Sequence, residues 1–170
     1  MVDRCKKSLL LASLSEPKLA YVPPILLVGE PGIGKTRFLR DLAACLKVCF
    51  FSVDLARASA GFVLAGSSSS WAEGKPGLVS NSLRKRKVSN PIILLDEIDK
   101  ASGDAKYDPL GCLYTLLERE ISKIFKGEAL EVEMNCSCIN WVASANNIDS
   151  IPQPIRSRFI VYHVEAPSRQ

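Results

Sequence analysis

The chain has 170 residues, a formal net charge of +4 and a hydrophobic fraction of 47%. This length suits one α/β domain with its own core, and no apolar run approaches the ~20 residues that a membrane-spanning helix needs. The basic run 84–87 accounts for the whole net charge, so the broad basic face of a nucleic-acid-binding protein is not expected. The six cysteines lack zinc-site spacing, which favours small buried thiols in a reducing cytoplasm.

Short apolar runs alternate with helical patterns along the chain. The predicted strands cover residues 23–29, 48–55, 91–97, 137–146 and 159–164. The predicted helices cover 5–20, 35–47, 109–125 and a segment that begins after 76–77, while 152–158 is either loop or helix. The side chains expected to share one side of helix 35–47 are Phe38, Leu39, Leu42 and Leu46. Because the strands contain continuous apolar runs, both faces of a parallel sheet should be covered, which predicts an α/β fold.

The segment GEPGIGKT, residues 29–36, joins the first predicted strand to the next helix. It matches the pattern G-x-x-x-x-G-K-[ST], in which glycines turn backbone N–H groups inward around phosphates. The helix that begins at Lys35 adds the positive end of its dipole. Lys35 is predicted to reach the β- and γ-phosphates, and the Thr36 hydroxyl is predicted to hold Mg²⁺. The residues assigned to phosphate binding are Gly29, Glu30, Pro31, Gly32, Ile33, Gly34, Lys35, Thr36 and Arg37.

The segment IILLDEID places Asp96 and Glu97 at the end of a buried strand. Ligands of open α/β sheets bind at such strand ends. Asp96 is therefore predicted to hold the Mg²⁺ shell, and Glu97 to polarise a water that attacks the γ-phosphate. The alternative is that the two carboxylates only end the strand before a polar loop.

Three segments, GEPGIGKT, ILLDEIDK and VASANNIDSIPQPIRSRF, follow one another in the order found in AAA+ ATPases, and the third resembles Lon proteases. The resemblance covers about residues 24–164. It implies a P-loop NTPase fold, a three-layer αβα sandwich around a five-stranded parallel sheet. It also implies an N-terminal helix and linker at 1–23 and a large nucleotide-binding subdomain at 24–170. A helical lid and a Ser–Lys peptidase domain are expected to be absent from this chain.

The same resemblance assigns roles near the C-terminal end. Asn146 corresponds to the sensor-1 residue that orients the attacking water, and Asn147 is the neighbouring alternative for that role. A further alternative is that both asparagines only form a turn. Arg158 resembles the arginine finger, which stabilises phosphoryl charge in a neighbouring subunit, and Arg156 is the alternative. Trp71 matches the position of the aromatic residue that grips polypeptide, although the family's glycine is replaced by Glu73. A core position for Trp71 is equally compatible with the sequence.

The resemblance implies ATP and Mg²⁺ as cofactors and ATP hydrolysis as the reaction. The expected setting is a cytoplasmic homo-oligomeric ring, a hexamer in the full-length context, that unfolds or remodels protein without membrane or nucleic acid. One alternative is a nucleotide-binding switch without turnover. Others are a DNA-acting motor of the clamp-loader or branch-migration type, and a small-molecule kinase built on the same loop.

Overall fold

A computed structural model describes residues 21–57, 60–67, 74–86, 90–101, 110–130 and 132–165. Its strands are β1 Ile25–Val28, β2 Phe50–Asp54, β3 Ile92–Asp96, β4 Phe125–Lys126, β5 Glu133–Met134, β6 Asn140–Ala145 and β7 Ile160–His163. Its α-helices are α1 Lys35–Cys45, α2 Ala60–Ala65, α3 Leu78–Arg86, α4 Leu113–Leu116 and α5 Gln153–Arg156. Two 3₁₀ helices cover Ile98–Lys100 and Ile121–Ile124.

The main sheet has five strands in the order β2-β3-β6-β1-β7. All four pairings are parallel, so the predicted five-stranded parallel sheet is confirmed. In this order β3 and β1 both border β6, although the three strands are far apart in sequence. The carboxyl ends of β1, β3 and β6 therefore lie side by side, which is where open α/β sheets bind ligands.

Alternate residues of the strands pack into two separate apolar layers, one on each side of the sheet. On one side, Leu39 and Ala43 of α1 pack with Ile25, Leu27, Ile92, Leu94 and Val142. On the other side, residues of α2, α3, α4 and α5 pack with the opposite strand faces, among them Leu26, Ile93, Leu95 and Trp141. The protein therefore consists of a helix layer, a sheet and a second helix layer.

The predicted helix 109–125 is wrong in its length. The helix α4 spans only Leu113–Leu116, and the chain continues through a 3₁₀ turn into β4. Ser122 explains part of the break: its hydroxyl donates to Arg119 O at 3.0 Å and its carbonyl accepts the Cys136 N–H at 2.9 Å. A serine that bonds nearby backbone competes with helical hydrogen bonding. Beyond the break, Ile121 and Ile124 are 54% and 64% exposed.

Smaller predictions also need correction. The cysteines are predicted to be buried, but Cys45 is exposed; of the four apolar side chains predicted to share one side of α1, Phe38 is 43% exposed. The helix α2 and the antiparallel β4–β5 hairpin were not predicted. The predicted helix 5–20 and Trp71 lie outside the described residues. Within the described part of the chain, no helix is both long and apolar enough to cross a bilayer.

Candidate nucleotide-binding site

A pocket of about 420 Å³ lies where β1, β2, β3 and β6 end. Its walls come from the loop after β1, the first turn of α1 and the strand ends. The predicted loop residues that line it are Pro31, Gly32, Gly34, Lys35, Thr36 and Arg37. The acidic pair Asp96 and Glu97 and the amide residue Asn146 line it as well. The structure thus brings together groups that the sequence placed in three separate segments.

The glycines of the loop have identifiable structural reasons. Gly32 and Gly34 have φ angles of 82° and 92°, a left-handed backbone that other L-residues adopt only with strain. Gly29 has no room for a side chain, because a Cβ would lie 2.4 Å from Val164 O. Its N–H donates to Ala145 O at 3.1 Å, which ties the start of the loop to the end of β6.

The start of α1 suits an anion. Gly34 occupies the N-cap position, and no side chain of the described residues caps this terminus. The first turn also contains no acidic residue. Uncapped N–H groups at the positive end of a helix dipole bind phosphate well. The loop and the helix start therefore fit the phosphate group that the sequence pattern predicts.

The Lys35 ammonium binds the loop and the sensor-1 candidate together. Its Nζ donates to Gly29 O at 2.6 Å, to Glu30 O at 2.9 Å and to Asn146 Oδ1 at 3.2 Å. Burial lowers the pKa of Lys35 below its ordinary value, while nearby carboxylates, chiefly Asp96, oppose that shift. The ammonium is thus held at the pocket wall by three oxygens, two from the backbone and one from a side chain.

The Thr36 hydroxyl and the Asp96 carboxylate lie in contact. Thr36 Oγ1 is 3.2 Å from Asp96 Oδ2, and a second hydroxyl, that of Ser144, donates to Asp96 Oδ1. Hydroxyl and carboxylate oxygens are ligands that Mg²⁺ prefers. The donor set at the pocket therefore fits the predicted metal, with Thr36 and Asp96 as the residues that would hold it.

Glu97 directly follows β3 in a left-handed backbone conformation, with φ 54° and ψ 46°. Its Oε1 lies 2.8 Å from Lys100 Nζ. This hydrogen bond raises the pKa of Lys100 above its ordinary value. A non-glycine residue with positive φ is uncommon, and here it places the Glu97 carboxylate at the pocket wall.

The structure distinguishes the two candidate sensor residues. Asn146 lines the pocket and its side chain contacts Lys35. Asn147 is exposed, and its Oδ1 accepts the Asp149 N–H at 3.0 Å instead. Asn146 is therefore the amide that faces the predicted phosphate position.

Neither candidate finger residue lies at this pocket. Arg158 Nε lies 2.9 Å from Glu118 Oε1, and since its N–H is not directed at an acceptor the contact is an ion pair. The Arg158 guanidinium also lies 5.7 Å from the centre of the Tyr114 ring and donates to Pro154 O at 2.5 Å. Arg156 contacts Gln153 and Asp149. Both arginines are thus engaged within their own chain.

Sequence reasoning missed three residues that line the pocket, namely Asp54, Arg57 and Ser144. Asp54 pairs in register with Asp96 across β2 and β3, and its Oδ2 lies 3.2 Å from Arg57 Nε. An acidic residue at the end of a second predicted strand was a signal that could have identified Asp54. For Arg57, no sequence pattern carried a signal.

A comparison with protein families identifies the chain. The sequence profile described as "ATPase family associated with various cellular activities (AAA)" matches residues 25–165. The chain belongs to this AAA family. The match covers the sheet, the phosphate loop and the acidic strand end. The general activity of this family is ATPase-type nucleotide chemistry.

Curated relatives at 31–36% identity are Lon proteases. The "Lon protease" of Metamycoplasma arthritidis is 36% identical over 81% of this chain and 16% of its own length. That of Mycoplasma mycoides is 31% identical over 92% and 20%, and the "Lon protease homolog 2, peroxisomal" of Oryza sativa is 34% identical over 85% and 16%. The chain therefore spans a fifth or less of the length of these relatives.

Among solved structures, the "RuvB Holliday junction branch migration motor" of Thermotoga maritima matches with a TM-score of 0.56. The match covers 96% of this chain and 43% of that one, at 18% identity. A likeness at this identity shows the fold alone. Together with the family match and the parallel sheet, it establishes the P-loop AAA fold that the sequence predicted.

Proposed function

We propose that this chain binds ATP with Mg²⁺ and hydrolyses it. One observation carries the proposal: Lys35, Thr36, Asp96 and Asn146, drawn from three distant segments, meet around one pocket. An amide, an ammonium and a hydroxyl–carboxylate pair are the groups that bind a triphosphate and its metal. The AAA family match supports the same conclusion.

Each residue has a distinct part in the proposed reaction. Lys35 and the loop N–H groups bind the β- and γ-phosphates, and Thr36 with Asp96 holds Mg²⁺. Bound Mg²⁺ would neutralise negative charge on the phosphate oxygens. Glu97 polarises the attacking water and Asn146 orients it. Such catalysis depends on positioning and charge stabilisation.

The proposal extends to assembly. We assign Arg158 as an arginine finger that acts on the pocket of a neighbouring copy in a homo-oligomeric ring, a hexamer in the full-length protein. Its distance from its own pocket, whose lining does not include it, supports action in trans. To serve as a finger it must leave Glu118 and Tyr114, so assembly has to replace those contacts.

The wider role that we propose is protein unfolding or remodelling by a cytoplasmic protein. The support is the group of relatives named Lon protease. We further propose that residues 24–170 correspond to the large nucleotide-binding subdomain of such proteins. Trp71 remains the predicted polypeptide-gripping residue.

A second candidate function is a nucleotide switch that binds ATP without turnover. It is favoured by the contacts that hold Arg158 within its own chain, because a finger engaged by Glu118 is withheld from any neighbour. In that case the bound nucleotide would change the conformation of the pocket without being consumed.

An ATPase assay over a range of protein concentrations tests both candidates. If the chain is an ATPase with a finger in trans, its specific activity should rise with concentration as copies associate. Nucleotide binding with no phosphate release at any concentration would favour the switch. Failure of the chain to bind ATP or ADP, with or without Mg²⁺, would refute both. Nucleotide binding by Arg158→Ala should equal that of the unsubstituted chain.

A further inference from the structure

Ser144, a residue of β6, contacts the acidic end of β3. Its side chain is 2% exposed. Its hydroxyl donates to Asp96 Oδ1 and accepts the Glu97 N–H at 3.2 Å. A single buried hydroxyl therefore contacts both acidic residues, the predicted metal ligand through its side chain and the predicted base through its backbone.

The pleat of the sheet explains why this contact forms. Asp96 follows Leu94 by two residues and Ser144 follows Val142 by two, so each pair shares a face of the sheet. Leu94 and Val142 pack with α1. Asp96 and Ser144 consequently lie on the face that carries the first turn of α1, where Thr36 contacts Asp96.

Asp99 makes the opposite connection, from the 3₁₀ turn after β3 to the end of β6. Its Oδ2 accepts the backbone N–H of Asn146 at 3.2 Å and that of Asn147 at 3.1 Å. Its Oδ1 is buried and has no hydrogen-bond partner within the described part of the chain. A buried carboxylate needs compensating bonds, and the two N–H groups supply them on one oxygen only.

We infer that Ser144 and Asp99 are positioning residues. Each connects the end of β3 to the end of β6, and each holds a different half of the nucleotide site in place. This inference rests on the proposed ATP binding. Ser144 fixes the Asp96 carboxylate beside Thr36 and so acts through the metal ligands. Asp99 fixes the turn that holds Asn146 against Lys35 and so acts through the group that meets the γ-phosphate.

The two residues therefore have separable effects on binding. Loss of the Ser144 hydroxyl should weaken the gain in nucleotide affinity that Mg²⁺ provides, for ADP and ATP alike. Loss of the Asp99 carboxylate should instead weaken the preference for a triphosphate over a diphosphate. A merely structural role would lower overall stability and leave both ratios unchanged.

The test uses the full chain and fluorescent ADP and non-hydrolysable ATP analogues, each titrated with Mg²⁺ and with EDTA. For Ser144→Ala we expect the Mg²⁺-dependent gain in affinity to fall about tenfold, the scale of one hydrogen bond to a charged group. Ser144→Thr, which keeps the hydroxyl, should restore it. For Asp99→Ala we expect the ATP-over-ADP preference to fall about tenfold, and Asp99→Asn, which keeps one acceptor oxygen, should retain most of it.

Amide hydrogen exchange provides a readout that needs no nucleotide. In Asp99→Ala the N–H groups of Asn146 and Asn147 should exchange faster, while that of Ile139, which donates to Cys136 O, should not change. Unaltered exchange at Asn146 and Asn147 would overturn the role of Asp99 even if the unsubstituted chain bound no ATP. Failure of the unsubstituted chain to bind ATP would refute the proposed function separately.

Thermal melts identify variants that do not fold. If an alanine variant unfolds, the near-isosteric Ser144→Cys and Asp99→Leu take its place, because they keep the volume and remove the strong hydrogen bond. The inference is wrong if folded variants keep both affinity ratios, or if the two substitutions change the same ratio equally.

Discussion

Replacement of Lys35 by methionine removes the ammonium and keeps a side chain of similar length. In the structure Nζ has three acceptors, at 2.6 Å, 2.9 Å and 3.2 Å. The longest contact, to Asn146 Oδ1, is the one most easily exchanged for a phosphate oxygen. A hydrogen bond between charged groups contributes about 1.5–3 kcal/mol, so the dissociation constant for ATP should rise about 10- to 150-fold.

The assay is titration of a fluorescent ATP analogue, with Lys126→Met as the matched control. Lys126 is an exposed lysine that pairs with Glu133 at 3.3 Å on the β4–β5 hairpin and does not line the pocket. The Lys35→Met variant should still fold, because the loss of hydrogen bonds to the partly exposed loop costs about 1 kcal/mol. A dissociation constant within about threefold of the unsubstituted chain would refute the phosphate contact.

The pKa of Lys35 gives the same contact a pH dependence. Because burial lowers that pKa, the ammonium loses its proton at a lower pH than an ordinary lysine. The affinity of the unsubstituted chain for ATP should therefore decline as the pH rises through the alkaline range. Since bound phosphate favours the charged form, Lys35 should lose its proton at a lower pH in the free protein than in the complex, and the affinity should fall between these two pH values. In Lys35→Met this component of the pH profile should be missing.

Three further outcomes are expected. Gly29→Ala should lower the free energy of unfolding by about 1–3 kcal/mol in a denaturant titration, because its Cβ would lie 2.4 Å from Val164 O; unchanged stability would show that the loop can shift. Glu97→Gln should bind ATP normally and release phosphate far more slowly, and hydrolysis at the parent rate would remove Glu97 from the mechanism. Arg158→Ala should reduce turnover only in the associated state, whereas equal losses in monomer and oligomer would contradict action in trans.

The fold could be predicted where local pattern and tertiary packing agree. In β1 and β3, four buried apolar residues follow one another directly, and in β1 these positions divide between the two apolar layers. The order of the strands could not be predicted in this way, because Ile25 pairs with Val142, a partner more than a hundred residues away. No local pattern specifies such a pairing.

In the predicted helix 109–125, tertiary contacts outweigh the local helical pattern, and the helix ends early. Its apolar spacing is helical, and Leu113 and Leu116 are buried as that spacing requires. Past Leu117, however, Ser122 bonds to the loop that precedes β6, and Phe125 pairs with Met134 in the hairpin. These contacts join residues that the sequence separates, so tertiary structure decided the outcome.

The candidate site likewise contains residues that the sequence predicts and residues whose contacts depend on the pairing of distant strands. Residue types and spacing predicted Lys35, Thr36 and Asp96, and all three line the pocket. Asn146, which lines it as well, was predicted only from the resemblance to AAA+ ATPases. Ser144 and Asp99 gain their roles only through contact between β3 and β6. Nothing in the spacing of either residue indicates that each bonds to the other strand.

The parallel register of β3 and β6 therefore determines the site as much as the motifs do. Leu95 pairs with Ala143, which brings Ser144 level with Asp96. Because side chains alternate between faces, a slip of one residue would move Ser144 to the opposite face and separate it from both Asp96 and Thr36. The motif residues would remain in the sequence, but the carboxylate would lose its buried hydroxyl donor. Correct pairing of two distant strands is thus a condition for the proposed metal site.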